Sequence, residues 1–289
     1  MNEMKIKTIK KTLHNKIAEW IDSVKDENLK KLLNKNTICT GGAIASMLLR
    51  EKVKDFDIYF KDRATTQAVA DYYVKIFLSK HPNQSITVDS RDDSRIKIFI
   101  PSSGVAGMDD LESDEQFEDV YDVLPENSKE TEKPTYEPVF LSSNAITLTG
   151  KIQLVIRFYG QVGQIHENYD FVHCTNAYDY ESKTLLLKEE ALSSLLTKEL
   201  KYQGSKYPLC SVIRTRKFIS RGFTVNAGEY LKMLMQLNDL DLKNLDVLED
   251  QLCGVDSAYF GVVINALNKV DSDKLTTSYI VAVIENVFD

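Results

Sequence analysis

The sequence has little cysteine: Cys39, Cys174, Cys210 and Cys253 are all there are in 289 residues, and no two form a Cys-x-x-Cys pair. That usage argues against a disulfide framework and suits free thiols in a reducing cytoplasm. No stretch reaches the about 18 apolar residues of a membrane-spanning helix, so no membrane association is expected. The first twenty residues are charged throughout and lack the apolar segment of a signal peptide. Gly-x-Ser-x-Gly, His-Glu-x-x-His and the P-loop pattern are all missing. Phosphates, if bound, must therefore be held by other means. His166, His173 and Cys174 lie close in sequence but lack a fourth ligand, so packing rather than zinc is expected of them.

Acid outnumbers base overall, with 43 Asp/Glu against 36 Lys/Arg and a net charge of −7. Its distribution matters more than its total. Residues 108–138 hold twelve Asp/Glu and two Lys, a local −10, which leaves +3 on the rest of the chain. The acid sits in one segment, so the overall acidity does not exclude a nucleic-acid partner. That segment reads as a solvated loop, or as an acidic element that contacts and regulates a basic groove or a basic protein partner.

Periodicity supplies the element order. Residues 4–35 place Ile9, Leu13, Ile17, Trp20, Ile21 and Val24 at three- and four-residue steps, predicting one or two helices. A short strand over Thr-Ile-Cys-Thr, a turn into a helix at Gly41-Gly42, a strand over Phe-Asp-Ile-Tyr-Phe and a helix ending at His81-Pro82 follow. Tyr72 and Tyr73 fall at helical spacing and read as core. Two strands flank Arg91-Asp92-Asp93, two more are expected over 138–160, and another over 170–180. After Gly204 the chain reads as helical to its end. A boundary between a mixed α/β part and a helical part falls near 182–188.

The most informative stretch is Cys39 to Phe60, CTGGAIASMLLREKVKDFDIYF. Asp55 stands thirteen residues after Gly42, and Asp57 follows it by two. Alternation along a strand sends both carboxylates to one face, with Phe56 behind them. Paired carboxylates repel unless a cation lies between them, and a hard divalent cation takes oxygen ligands and bridges phosphates. A Gly-Gly turn at a helix N-terminus brings bare backbone N–H groups to a triphosphate. The helix between them lets the chain return, so phosphates and metal carboxylates meet at one end of a sheet.

This pattern, Gly41-Gly42, an apolar helix, then Lys54-Asp55-Phe56-Asp57-Ile58, resembles the signature of the nucleotidyltransferase superfamily. It is most similar to the head domain of CCA-adding enzymes and bacterial poly(A) polymerases. The resemblance implies an α+β fold: a polymerase-beta-like mixed sheet with packed helices, followed by an all-helical domain. It divides the chain into a helical leader (1–36), a nucleotidyltransferase head (37–184, with the acidic insert at about 105–138) and a helical C-terminal domain (185–289). It implies Mg²⁺ or Mn²⁺ on Asp55 and Asp57, and a nucleoside triphosphate held by Gly41, Gly42 and Ser46. Where those tRNA enzymes carry Arg-Asp, this chain has Ala45-Ser46.

Three further segments carry weaker echoes. Asp170, in Tyr-Asp-Phe-Val-His-Cys, is similar to the third carboxylate that such heads bring from a neighbouring strand, and would share the metal and help deprotonate the acceptor; Asp89 is its rival. Ser142-Ser143-Asn144-Ala145 resembles the Thr-x-Asn-Ala segment near the incoming nucleotide, while a turn capped by Ser and Asn explains the same residues. Arg214, Arg216, Lys217 and Arg221 resemble the basic helix that follows the head, and either contact nucleotide or RNA or form a solvated face. The base-selecting Glu-Asp-x-x-Arg pattern is not found, although Glu249-Asp250 is present. The stretch from Ile146 to Cys174 looks similar to nucleotidyltransferase-like proteins of large phages. The implied activity is transfer of a nucleoside monophosphate from an NTP to an RNA 3′ end, in the cytoplasm of a host cell if the source is viral. A protein or small-molecule acceptor, or a non-catalytic binding module, are the alternatives.

Overall fold

The computed structural model describes residues 6–92, 95–100, 105–106, 135–252 and 276–288. Most of the acidic insert, residues 107–134, lies outside the described residues.

The apolar periodicity of the N-terminus builds α1 (Ile6–Ser23) and α2 (Glu27–Asn36). Asp26 starts α2, its carboxylate accepting from the backbone N–H groups of Asn28 and Leu29 at 2.8 and 3.1 Å. There follow β1 (Thr37–Thr40), α3 (Gly42–Leu49), β2 (Phe56–Phe60) and α4 (Arg63–Lys80), the last capped by Asp62 on Thr65 N–H at 2.7 Å. A small hairpin, β3 (Thr87–Asp89) with β4 (Lys97–Phe99), forms its own two-stranded sheet. The segment 138–160 folds as three strands' worth of meander rather than two. β6 (Pro138–Ser142) turns tightly at Ser143-Asn144 into β7 (Ala145–Leu148), and β8 (Ile152–Tyr159) follows. Ser142 Oγ accepts from Ala145 N–H at 3.1 Å and closes that turn.

These strands, with β5 (Val105–Ala106), β9 (Ala177–Asp179) and β10 (Thr184–Leu186), form one eight-stranded sheet ordered β10-β9-β1-β2-β8-β7-β6-β5. It is mixed: β2 and β8 run parallel, and the other pairs are antiparallel. Phe56, Ile58 and Phe60 of β2 and Ile152, Leu154 and Ile156 of β8 face one side, where α1, α2 and α4 cover them. Ile38, Tyr59 and Ala177 face the other side, against α5 (Val162–His166).

Both α1 and α2 pack into the main core. Leu13, Ile17, Trp20 and Leu33 are fully buried in the same core as β2 and α4, and Trp20 Nε1 donates to Tyr73 Oη at 2.7 Å. Trp20→Ala is expected to cost about 3–5 kcal/mol in denaturant unfolding, whereas a detachable leader would leave stability nearly unchanged.

The strand expected over 170–180 is a bridge at Phe171, a 3-10 turn over Val172–Cys174 and then β9. β10 carries the sheet to residue 186, two past the expected end of the head. Beyond it come α6 (Glu189–Thr197), α7 (Pro208–Ser220), α8 (Ala227–Asn238), α9 (Leu245–Leu252) and α10 (Thr277–Phe288). Phe171, Leu195, Tyr202, Phe218 and Phe223 pack together with Ala45 of α3, joining the helical part to the sheet.

Candidate active site

Register places the two halves of the motif side by side. Thr40, the last residue of β1, is paired with Asp57 of β2. The chain turns at Gly41 immediately beyond Thr40 and enters α3 at Gly42. Gly41 has φ +96° and ψ −148°, a backbone region that a side chain makes costly. A Cβ built on it would stand 2.7 Å from Asp57 Oδ2 and 3.3 Å from Tyr169 Oη. The Asp57 carboxylate thus lies directly against the glycine turn. A Cβ on Gly42 would meet nothing within 4 Å. The start of α3 is therefore open beside the carboxylate.

Asp55 and Asp57 are half-buried, and Phe56 between them is buried in the main core. Both carboxylates lie near enough to Cys39 to act on its thiol, whose pKa is raised first by burial and then by Asp57 and Asp55. Two oxygen-donor carboxylates beside an open glycine cradle suit a hard divalent cation that completes its shell with phosphate oxygens and water. Among the described residues no group of three His, Cys, Asp or Glu side chains converges as a metal site.

The floor under Asp57 is polar and uncharged. Thr40 Oγ1 donates to the Asn176 carbonyl at 2.8 Å and sits 2.8 Å from His166 Nε2. With the hydroxyl proton on Asn176, Nε2 is the donor to Thr40. Burial pushes His166 down to about 4, so its ring is neutral at pH 7. Burial, then Tyr59 and Asp57, raise the Tyr169 phenol well above its usual range. Sequence reasoning missed Thr40, Tyr59 and Tyr169. Their only signal was adjacency to Gly41, Asp57 and Asp170, because the contacts are made across strands.

Asp170 is buried between the head and α7. Its Oδ2 accepts from Arg214 Nη1 at 2.8 Å and Ser211 Oγ at 3.2 Å, and its Oδ1 accepts from Phe171 N–H at 2.9 Å. The charges of Asp170 and Asp57 both act on the half-buried Cys174, whose thiol is pushed up to about 12 by burial first and by these carboxylates after it. Arg214 also acts on Tyr59. The rival carboxylate, Asp89, lies on the separate hairpin and pairs with Arg91 at 2.7 Å.

The four cations of the basic segment part company. Arg214 goes to Asp170, while Arg221 donates through Nε to Glu51 Oε2 at 3.0 Å and through Nη2 to Ser46 Oγ at 3.2 Å. Lys198 joins the same Glu51 at 3.1 Å. Burial alone would raise the Glu51 pKa, but the hydrogen bonds from Arg221 and Lys198 and their charges carry it below the usual carboxylate range. Ser46 and Arg221 therefore clasp α3 to the end of α7. Arg216 and Lys217 lie exposed on α7. Asn144 is not brought to the site. It sits in the β6–β7 turn, its Oδ1 accepting from Arg157 Nη1 at 3.1 Å and its backbone carbonyl accepting from Ile156 N–H at 2.9 Å. Asp57 is level with Thr147, so Asn144 lies three residues further along and two strands over, on the order of 14 Å away at sheet spacings.

His173 packs among aromatic rings. It is fully buried, neither ring nitrogen has a hydrogen-bond partner among the described residues, and its ring centroid lies 4.4 Å from Phe218 and 5.0 Å from Phe223. Burial pushes it down to about 4. A histidine that binds its proton less well when folded contributes stability above the ordinary pKa of 6.5 and loses it as pH falls toward 4. At about 1.4 kcal/mol per unit, His166 and His173 each withdraw on the order of 3 kcal/mol across that window. The melting temperature is expected to be flat above pH 7 and to fall steadily from pH 6.5 to pH 4. His173→Phe, which keeps an aromatic ring in that box, is expected to remove about half of the fall.

Comparison with known proteins identifies the lineage. The sequence profile described as Gad2, Gabija anti-defense 2 family protein, matches residues 11–198. The chain belongs to the Gabija anti-defense 2 family. Gabija anti-defense 2 of Bacillus phage SPbetaL7 is 22% identical over 232 residues, covering 79% of this chain and 44% of that protein. The chain thus spans less than half the length of that curated relative. The residues matched to the Gabija anti-defense 2 family include Gly41, Gly42, Asp55, Asp57 and Asp170, and stop short of Arg214. Among solved structures, the Bacillus stearothermophilus CCA-adding enzyme in complex with CTP aligns with TM-score 0.42 at 11% identity, over 87% of this chain and 52% of that one. The Thermotoga maritima CCA-adding enzyme complexed with tRNA aligns with TM-score 0.40 at 13% identity, over 88% and 54%. Both likenesses are distant. Among the described residues no helix is long and apolar enough to cross a membrane.

Proposed function

We propose that this chain is a metal-dependent nucleotidyltransferase acting against the Gabija defence. The observation that carries the reading is the contact between the Gly41 turn and the Asp57 carboxylate, beside the open start of α3. Asp55 and Asp57 would hold Mg²⁺ or Mn²⁺. The ion, when bound, supplies neutralisation of phosphate charge and polarisation of the reacting oxygens. Gly41 and Gly42 offer backbone N–H groups to the triphosphate without side chains in the way. The neutral floor of Thr40, Tyr59, Tyr169 and His166 beside Asp57 adds no competing charge. Catalysis is then positioning and electrostatics, as phosphate transfer requires.

The family description favours an acceptor belonging to the Gabija system, a protein or nucleic-acid component that receives the nucleoside monophosphate. A second reading, transfer to an RNA 3′ end, draws on Arg216 and Lys217, exposed on α7. It is weakened by the use of Arg214 and Arg221 in carboxylate pairs. The acidic segment, on either reading, would meet a basic partner surface.

The deciding experiment incubates the protein and labelled ATP, CTP, GTP or UTP in turn with Mg²⁺ or Mn²⁺. Extracts of cells with and without Gabija, and total RNA, serve as acceptors beside an Asp55→Ala/Asp57→Ala control. Label entering a product only in Gabija extracts, and lost in the control, is the expected result. Label in RNA from either extract selects the second reading. No label, with inhibition of Gabija retained by the control variant, would make the chain a binding module and end the enzymatic reading.

A further inference from the structure

We propose that Asp170 is a positioning residue, holding Arg214 toward the phosphates of a bound nucleotide, and is not a ligand of the metal. The inference deepens the reading under Proposed function and rests on it.

The carboxylate is occupied on both oxygens. Oδ2 accepts the Arg214 guanidinium and the Ser211 hydroxyl, and Oδ1 accepts the Phe171 N–H. Ser211 and Arg214 are one turn apart on α7, so a single helix face presents both donors. The backbone around Asp170 is also pinned. Its carbonyl accepts from Gln203 N–H at 2.9 Å, and Gln203 Nε2 donates to the His166 and Tyr169 carbonyls at 2.8 Å each. A carboxylate held in this way would have to abandon an ion pair to reach a cation. Asp55 and Asp57 are more open, and no third acid converges on them among the described residues.

Arg214 has the opposite character. Its side chain is 43% exposed against 11% for that of Asp170, and the acid that holds it directly follows Tyr169, whose Oη lies 3.3 Å from a Cβ built on Gly41. Holding one nitrogen of the guanidinium on a fixed carboxylate restricts where the rest of the fork points. A planar fork so fixed suits phosphate oxygens, and the fixed pose lowers the entropy lost on binding them. Two metal carboxylates and a triphosphate make a strongly anionic centre. A cation brought in by α7 would also tie nucleotide binding to closure of the helical part on the sheet.

The test separates metal from nucleotide. Mn²⁺ binding to the whole chain is measured alone by electron paramagnetic resonance. Binding of ATP, CTP, GTP and UTP is then measured in saturating Mn²⁺ without acceptor, using the tightest for the variants. Asp170→Asn and Arg214→Gln are each expected to leave the Mn²⁺ constant within about two-fold. Each is expected to weaken the nucleotide on the order of ten-fold, with the double variant no weaker than Arg214→Gln alone. Loss of Mn²⁺ binding in Asp170→Asn, with retention in Arg214→Gln, would make Asp170 a metal ligand and overturn the proposal. Unchanged nucleotide affinity in Arg214→Gln would overturn it as well. If Asp170→Asn does not fold, Arg214→Gln decides alone by the same criterion. A wild-type chain that binds neither Mn²⁺ nor any nucleotide fails the functional reading itself, and the proposal with it. Wild-type binding of both leaves that reading standing whatever the variants do.

Discussion

Asp57→Asn is expected to reduce nucleotidyl transfer on the order of a thousand-fold while leaving the fold intact or slightly stabilised. The two effects share one cause. Asp55 immediately precedes β2 and Asp57 is its second residue, so strand alternation sends both to one face, where without a cation they repel each other. Replacing one by the isosteric amide removes that repulsion and one half-buried charge beside Thr40 and Tyr59. It also removes half of the donor set that a divalent ion needs. The melting temperature of the metal-free variant should therefore match or exceed that of the wild type. The rise in melting temperature that Mg²⁺ or Mn²⁺ gives the wild type should disappear. Thermal melts with and without metal check this beside the transfer assay. A variant that melted well below the wild type, or that kept its metal-dependent shift, would mean that Asp57 is a structural residue and that the site lies elsewhere.

The second large effect comes from Gly41. Gly41→Ala places a Cβ 2.7 Å from Asp57 Oδ2 and forces a side chain into a backbone conformation of φ +96° and ψ −148°. Strain of that kind costs about 1–3 kcal/mol, and the neighbouring contact can be relieved only by moving the Asp57 side chain or the turn. Either movement spoils the metal site, so activity should fall as far as in Asp57→Asn, now with a loss of stability. Gly42→Ala should behave in the opposite way. It lies in the first turn of α3 with open space around it, and alanine there is expected to stabilise by about 0.5–1 kcal/mol. Its cost would appear in the Michaelis constant for the nucleotide, because a methyl group enters the cradle. Melting temperature and steady-state kinetics on the two alanine variants distinguish a backbone requirement from a binding requirement at adjacent positions.

Much of the fold was written in local pattern. The step of three and four from Ile9 to Val24 and the Gly-Gly turn before an apolar helix each act over a few residues, so sequence reading recovers them. That the Gly-Gly turn and the Asp55 and Asp57 carboxylates meet at one end of a sheet was legible for the same reason: a short helix between two short strands leaves little freedom for where the second strand returns. Asn144 shows the limit. Its neighbours invited a binding role, but the β6–β7 turn and the register of β7 on β8 carry it to the far end of the sheet, and register between strands is decided by partners distant in sequence. The segment after Asp170 misled for a related reason. Its apolar residues fit a strand, but Phe171, His173 and Phe218 pack into a cluster that curls the chain into a 3-10 turn first.

By itself, then, the sequence determined the N-terminal helices, the passage from a mixed α/β part to a helical part, and the pair of carboxylates beside a glycine turn. Those follow from side-chain alternation, helix periodicity and the conformational freedom of glycine, all of which act locally. Only the tertiary structure decided which cations meet which acids. Arg214 and Arg221 lie seven residues apart on and after one helix, yet one is bound to Asp170 and the other to Glu51. Ion pairs form wherever packing brings charges together, and here burial of Phe171, Phe218 and Phe223 against Ala45 sets where α7 lies and therefore which acid each arginine can reach.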